Sequence, residues 1–301
     1  MPHLEGVIVT RADEPARGAG GAEANAGTGG VRLIALDLDG TVLGPGRHIA
    51  PAAHEALRAA EAAGVLVVLA SGRMLRSAAG VQAALGLSGP IIAYNGGMVR
   101  LPDGRGWEDP VPLPAARAIS RLCQERGYFV QCYYGDRLCV PADGPRAQEY
   151  AEIAGVPFEV DPAAVFDPPQ PPTKQLVIEP VERQPEVREA VRAAAAGAVE
   201  LANSYPHYLE VSAAGVHKGA ALARLAQALG VPRAAVMAVG DGENDLSMLR
   251  YAGVPAAVGN AVPGLRAIAA VRAAASYGDG VAEVVRRVLG AGGGAPAVPV
   301  G

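Results

Sequence analysis

Apolar residues fall in short runs punctuated by Gly, Pro and polar turns, and at both ends of the chain these runs alternate with segments of helical period. Ile34–Leu36, Val65–Ala70, Ile91–Tyr94 and Val236–Val239 lack a polar alternation, which predicts strands buried on both faces. Pro51–Ala63 carries Ala53, Leu57 and Ala60 at helical spacing with Gly64 as a stop, and Met74–Leu85 and Lys218–Leu229 read as further helices. Beyond Val239 the order continues as a helix to about Tyr251, a strand Ala256–Val258, a helix from Pro263, a strand Ala273–Ala275 and a helix Val281–Leu289. Strand and helix in strict alternation predict right-handed βαβ units, a parallel sheet and an α/β fold.

The texture changes near Gly96. From there to about Tyr208, Tyr128–Tyr134 and Arg137–Val140 read as a hairpin, Gln175–Glu179 and Leu209–Val211 as strands, and Ala115–Arg126, Arg146–Ala154 and Glu186–Ala196 as helices, with a Pro-rich loop at Asp167–Pro172. Such α+β texture inside an α/β frame predicts a second domain inserted into the first. The expected division is a core of 31–95 and 209–289, an insert of 96–208, and disordered tails at 1–30 and 290–301. Gly18–Gly30 is Gly/Ala-rich without periodicity; the triplet Val7–Val9 alone offers a strand there.

Half of the 301 residues are apolar but only 4% aromatic, so Ala, Val and Leu must fill the cores. A net charge of -4 without a polybasic run argues against nucleic acid or an anionic membrane surface as partner. No apolar run approaches a membrane span, and Glu5 precedes any apolar core, unlike a secretory signal, so a cytoplasmic location is expected. Cys123, Cys132 and Cys139 match no metal spacing and are expected as free thiols. If Gly135-Asp136 forms a two-residue turn, Cys132 lies directly opposite Cys139. Nothing in the sequence sets an oligomeric state.

The candidate chemistry sits where buried strands end. Ile34–Leu36 runs into Asp37-Leu38-Asp39-Gly40-Thr41, Val65–Ala70 into Ser71-Gly72-Arg73, and Val236–Val239 into Gly240-Asp241-Gly242-Glu243-Asn244-Asp245; Lys218 opens a helix. Ligands of open α/β sheets bind at the carboxyl ends of the strands. Asp37, Asp39, Asp241 and Asp245 at one edge make a site for a hard cation that keeps several waters, Mg2+ rather than a caged Ca2+. Softer metals are disfavoured because no Cys lies in these motifs and His217 has no second His at ligand spacing. Ser71 with the backbone of a Gly-led helix start is an anion seat, and Lys218 adds a point charge. Metal, anion seat and lysine together suit a phosphoryl group.

In order and spacing, Asp37-Leu38-Asp39-Gly40-Thr41, Ser71-Gly72-Arg73, Lys218-Gly219 and Gly240–Asp245 resemble the four motifs of the haloacid dehalogenase-like phosphohydrolases. The likeness spans Leu33–Leu289. The insert resembles the type II, subclass B cap of the Cof-like group, as do Val258-Gly259-Asn260-Ala261, where Val258 replaces the group's frequent Met, and Gly278-Asp279-Gly280-Val281. The resemblance implies a Rossmann-like, doubly wound parallel core with an α+β cap, and a Mg2+-dependent phosphatase acting on a small phosphorylated metabolite, a sugar phosphate or phosphorylated cofactor or precursor. It implies Asp37 as nucleophile forming an aspartyl-phosphate, and Asp39 as acid and base whose backbone carbonyl ligates the metal. Asp241 would ligate directly, Asp245 directly or through water; Ser71, Lys218 and Asn244 would hold phosphate oxygens, with Leu38, Gly72 and Asn95 beside them. A phosphotransferase of the phosphomannomutase-like type shares the first half-reaction, and a non-catalytic binding protein shares the fold.

Other residues stay open at this level. Arg73 is either a phosphate ligand or a salt-bridge partner, Thr41 a turn cap or a site residue, Asn95 a hinge residue or a substrate contact. His48, His54, His207 and His217 share no spacing. Tyr133, Tyr134 and Lys174 can face the site or the insert's own core.

Overall fold

The computed structural model describes residues 8–10 and 30–290. Its core is a nine-stranded sheet built from β1 (Ile8–Thr10), β2 (Leu33–Leu36), β3 (Leu66–Ala70), β4 (Ile91–Ala93), β5 (Met98–Arg100) and β6 (Gly106–Glu108). A second sheet of six follows in the chain: β7 (Phe129–Tyr134), β8 (Arg137–Val140), β9 (Glu159–Val160), β10 (Lys174–Ile178), β11 (Val199–Tyr205) and β12 (Tyr208–Ala213). The chain then returns to the core with β13 (Val236–Gly240), β14 (Val254–Ala257) and β15 (Val271–Arg272). The helices are α1 (Pro51–Ala62), α2 (Leu75–Ala84), α3 (Leu113–Arg126), α4 (Pro145–Ala154), α5 (Pro162–Phe166), α6 (Gln184–Ala195), α7 (Lys218–Ala228), α8 (Leu246–Tyr251), α9 (Pro263–Ile268) and α10 (Tyr277–Gly290).

In the core sheet the order is β1-β6-β5-β4-β3-β2-β13-β14-β15, parallel from β4 through β15. All of β2 and β13 is buried, as a sheet covered on both faces requires. The chain moves outward from β2 through β3 to β4, then restarts at β13 on the other side of β2. This reversal opens a crevice between the ends of β2 and β13, the place where such sheets bind ligands. The doubly wound α/β core agrees with the expectation from sequence.

The strand pairing differs from the expected boundaries of the insert. Asn95-Gly96 does not lead into the second sheet. Tyr94, Asn95 and Gly96 have φ of 53°, 55° and 110°, and this left-handed run turns β4 back antiparallel into β5, with Ala93 opposite Met98. The chain crosses between sheets at 109–112 and 214–217, so β5 and β6 belong with the core and all of β12 with the second sheet. The expected tails lie outside the described residues except Gly30, Gly290 and Ile8–Thr10, which pairs in parallel with β6 rather than standing apart. A strand laid along a sheet edge pairs that edge's backbone. The strand expected at Ala273–Ala275 is found at Val271–Arg272, because Ala274 N and Ala275 N turn to the Glu283 carboxylate (2.9 and 3.2 Å). α10 starts at Tyr277 instead of Val281, its first amide bound to Asn260 Oδ1 at 2.8 Å. β11 lies where no strand was expected; its Ala, Asn and Ser dilute the apolar pattern.

Alternation along the second sheet divides its residues. Val130, Cys132, Tyr134, Val177, Leu209 and Val211 pack with α3, α5 and α6 in a separate core. Tyr133, Lys174, Leu176, Tyr208 and Glu210 point the other way, toward the nine-stranded sheet. Cys132 is directly opposite Cys139, and all three cysteines are free and buried.

The second domain bears on the core at several points. Tyr94 Oη donates to the Gly135 carbonyl (2.6 Å), Arg76 N to Asp136 Oδ1 (2.8 Å) and Asn95 Nδ2 to Glu210 Oε2 (3.2 Å). No helix among the described residues is long and apolar enough to cross a membrane.

Candidate active site

Asp37 follows the last residue of β2, and its amide donates to the Val239 carbonyl at 3.0 Å, so β13 fixes its height at the sheet edge. Three residues on, Gly40 takes φ +89°, where a Cβ would come within 2.2 Å of Asp241 Oδ2. Only glycine gives both the left-handed turn and this closeness. Thr41 Oγ1 then donates to Asp241 Oδ1 at 2.7 Å, tying the loop after β2 to the loop after β13. Thr41 is therefore a residue of the site and not merely a turn cap.

Asp245 is fully buried and accepts three hydrogen bonds. Its Oδ2 accepts from Asp241 N and Gly242 N, both at 3.0 Å, while Oδ1 accepts from Lys218 Nζ at 2.7 Å. Lys218 also reaches Asp37 Oδ1 at 2.5 Å. It gets there because α7 packs closely on the segment of α8 through Gly219, where a Cβ would meet the Ser247 carbonyl oxygen at 2.4 Å. The helix is capped by His217, whose Nδ1 accepts from Ala220 N at 3.0 Å, a structural use for a histidine that sequence left unassigned.

Oxygens of Asp37, Asp241 and Asp245 lie within 4.8 Å of one another. Burial, then the charge of Asp245, pushes the Asp37 carboxyl well above its usual range against the pull of Lys218. Burial likewise raises Asp241. Burial disfavours the Lys218 ammonium, but Asp245 and Asp37 outweigh it and hold the lysine charged. Three carboxyl groups share one ammonium, so ionising all of them would leave two surplus negative charges, and their donors are all hard oxygens. That set fits a divalent cation.

Asp39 is not in this cluster. Its side chain is 57% exposed and makes a two-toothed ion pair with Arg73, whose Nε donates to Oδ2 at 2.7 Å and whose Nη2 donates to Oδ1. Its carboxylate is not among the metal-holding oxygens, which leaves its backbone as the route to a metal expected from sequence. Arg73 thus resolves as a salt-bridge partner. Ser71 is buried, its Oγ accepting from Arg73 N at 3.1 Å. The Leu38 side chain is fully buried, so only its backbone is available to a ligand.

Asp37, Asp39, Gly72, Asn95 and Asn244 all line one cleft of about 460 Å³ between the two domains. Its other wall is Tyr150, Ile153, Lys174, Tyr205, Tyr208 and Glu210. Lys174 and Tyr133 therefore face the core, with the ammonium 4.7 Å from the Tyr133 ring centre. Tyr134 faces the other way and its Oη donates to the Ala164 carbonyl at 2.6 Å. Asn95 joins the walls, accepting from Asn244 Nδ2 at 3.3 Å while donating to Glu210. Sequence reading missed Glu210, whose role comes from pairing across strands, and gave no role to Asn260, whose Nδ2 donates to the Gly40 carbonyl at 2.8 Å and braces the first loop.

Residues 34–285 match the family model for haloacid dehalogenase-like hydrolases. A phosphoglycolate phosphatase of Methanothermobacter thermautotrophicus is 31% identical over 86% of this chain and 100% of its own length. A 5-amino-6-(5-phospho-D-ribitylamino)uracil phosphatase of Bacillus subtilis is 28% identical over 85% of this chain and 95% of its own. A solved haloacid dehalogenase-like hydrolase from Bacteroides thetaiotaomicron, 26% identical, covers 86% of this chain and 99% of its own with a TM-score of 0.79. The chain accordingly belongs to the haloacid dehalogenase-like hydrolases and is a phosphoric monoester hydrolase.

Proposed function

We propose that the chain is a Mg2+-dependent phosphatase that hydrolyses a small phosphomonoester, a sugar phosphate or a phosphorylated cofactor or precursor, through an aspartyl-phosphate on Asp37. The observation that carries this reading is the contact of Lys218 with Asp37 and Asp245 at 2.5 and 2.7 Å, at the edge of a cleft that Asp37 lines. Asp37, Asp241 and Asp245, with the Asp39 backbone carbonyl, would hold Mg2+, which supplies charge neutralisation for the transferring phosphoryl group.

Asp37 attacks phosphorus in line, forming an O–P bond as the bond to the leaving oxygen breaks. Asp39 gives that oxygen its proton and later removes one from the water that hydrolyses the acyl phosphate, releasing inorganic phosphate and regenerating both carboxyl groups. To exchange that proton Asp39 must release Arg73, and its exposure on the cleft side leaves room for this. Lys218 favours the ionised form of Asp37, which burial opposes. Ser71, Gly72, Asn244 and the Leu38 backbone receive phosphate oxygens, and Lys218 balances their charge.

The deciding variant is Asp37→Asn. It should reduce release of phosphate from p-nitrophenyl phosphate by a factor on the order of 10^4 or more while circular dichroism and melting stay near wild type. Retained turnover would remove Asp37 from the role of nucleophile. Phosphate transferred to an added sugar in preference to water would instead favour the phosphotransferase reading.

A further inference from the structure

The wall that the second domain turns toward the reactants is built around a charge pair that the phosphatase reading does not use. Lys174 and Glu210 sit on adjacent antiparallel strands, Lys174 at the start of β10 and Glu210 within β12. Both side chains are nearly inaccessible, 3% and 8% exposed, yet both line the cleft. Lys174 Nζ lies 3.4 Å from Glu210 Oε1, and Glu210 Oε2 accepts from Asn95 Nδ2 at 3.2 Å. The Tyr133 ring sits beside the ammonium, its centre 4.7 Å away. Burial disfavours the lysine's charge, but Glu210 prevails and raises its pKa, so the ammonium keeps its charge beside the carboxyl group.

Away from the cluster at Asp37, the remaining charges of the cleft do not upset that balance. Arg73 is taken up by both oxygens of Asp39. Arg47 is exposed at the rim, where its Nη2 donates to the Ala154 carbonyl at 3.4 Å. Glu243 adds an exposed negative charge. Tyr150, Ile153 and Tyr205 supply aromatic and apolar surface. A leaving group carrying its own carboxylate or second phosphate would have to leave water beside a buried glutamate whose lysine is already neutralised. A hydroxyl meets the opposite situation. It both donates and accepts, and the pair offers a carboxylate acceptor beside an ammonium with three donors.

Resting on the phosphatase reading, we infer that Lys174 and Glu210 are specificity-determining residues that select phosphomonoesters of uncharged, hydroxylated alcohols and reject those with a second anionic group. Phosphoglycolate, named for a relative of 31% identity, falls in the rejected class.

The test compares glycerol 3-phosphate with 3-phosphoglycerate, which have the same three-carbon frame and differ by a hydroxymethyl against a carboxylate. With Mg2+ present, kcat/KM of the wild type should favour glycerol 3-phosphate by at least about tenfold. Glu210→Gln leaves the ammonium uncompensated and should move the ratio toward 3-phosphoglycerate by about ten- to a hundredfold. Lys174→Gln leaves the carboxylate uncompensated and should move it the other way. A pair that only fastens the domains together would lower both substrates by one factor and leave the ratio unmoved. That result, or a wild type preferring 3-phosphoglycerate, overturns the inference. The wild-type ratio is readable even where a single variant fails to fold, and the neutral double variant Lys174→Gln/Glu210→Gln should keep the wild-type preference. Hydrolysis of p-nitrophenyl phosphate separates the two levels: its absence in the wild type defeats the phosphatase reading, whereas its presence with the reverse preference defeats only the selection by this pair.

Discussion

The two walls of the cleft hold buried charge in opposite ways. On the core wall three carboxylates, Asp37, Asp241 and Asp245, crowd around the single ammonium of Lys218. On the facing wall Lys174 answers Glu210 one to one. Unbalanced buried charge is costly, so it persists where a binding partner supplies the missing counter-charge. Balanced charge needs no such partner and is left to discriminate by hydrogen bonding. On the proposed function, the core wall is the place where ions are bound and reacted, and the facing wall the place where the remainder of the substrate is inspected.

The largest effect should come from reversing the economy of charge on the core wall. Lys218→Met leaves Asp37 and Asp245 without their ammonium at a fully buried position. Turnover of p-nitrophenyl phosphate should fall by about a thousandfold, and removing one partner of a buried pair should cost about 3 kcal/mol of stability. Because the carboxylates then lack any resident cation, added Mg2+ should raise the melting temperature of the variant more than that of the wild type. Equal shifts would mean that Lys218 and the metal do not share these carboxylates.

Removing the metal is the next test. A chelator should abolish phosphate release and lower the melting temperature, with Mg2+ at a hundred times its Kd stabilising by about 2.7 kcal/mol. The same treatment should leave the Lys174–Glu210 wall unaffected, so hydrogen-exchange protection should change around the loops after β2 and β13 and not along β10 and β12. Uniform loss across both walls would erase the distinction between them.

Backbone geometry gives the third test. Gly40→Ala places a Cβ at φ +89° in the space of Asp241 Oδ2, and Thr41 can no longer hold that carboxylate in place. Displacement of about 1 Å at such a site costs up to ~100-fold in rate, while left-handed strain at one residue costs about 1–2 kcal/mol. Turnover should therefore fall further than stability, and a wild-type rate would show that Asp241 tolerates being moved.

These differences also explain what could be seen in the sequence. Core-wall residues sit within a few positions of strand ends, so local patterning places Asp37, Ser71 and Asp241 at one edge once the βαβ order is recognised. Lys218 stands apart in sequence, but a lysine-glycine pair opening a helix marks where α7 must approach α8 closely. The facing wall has no such local mark. Lys174 and Glu210 meet through strand register, and register depends on every pairing in the sheet. The same holds for the Arg73–Asp39 pair and for Asn260 bracing Gly40: each joins segments that no short window contains. Asn95 was legible as a turn residue, but the direction of that turn was not. A left-handed run can send a chain into a new domain or fold it back as a hairpin, and the partner strand β5 decides the matter.

The smallest expected effect concerns the seam between the walls. Helix α2 starts at Leu75 without a side-chain cap of its own, and the carboxylate of Asp136, at the tip of the β7–β8 hairpin, receives its Arg76 amide at 2.8 Å. The second domain thus supplies the N-terminal cap for a core helix, but only while the two stand together. A cap of this kind contributes about 1 kcal/mol, so Asp136→Ala should weaken the hold of the second domain on the core by about fivefold. That weakening acts before chemistry: KM for a substrate that fills the cleft should rise a few-fold while kcat holds. For p-nitrophenyl phosphate, which engages little of the facing wall, the change should be smaller. A fall in kcat with KM constant would instead mean that Asp136 steadies the anion seat at Ser71-Gly72 through α2, and the hairpin tip would then belong functionally to the core wall.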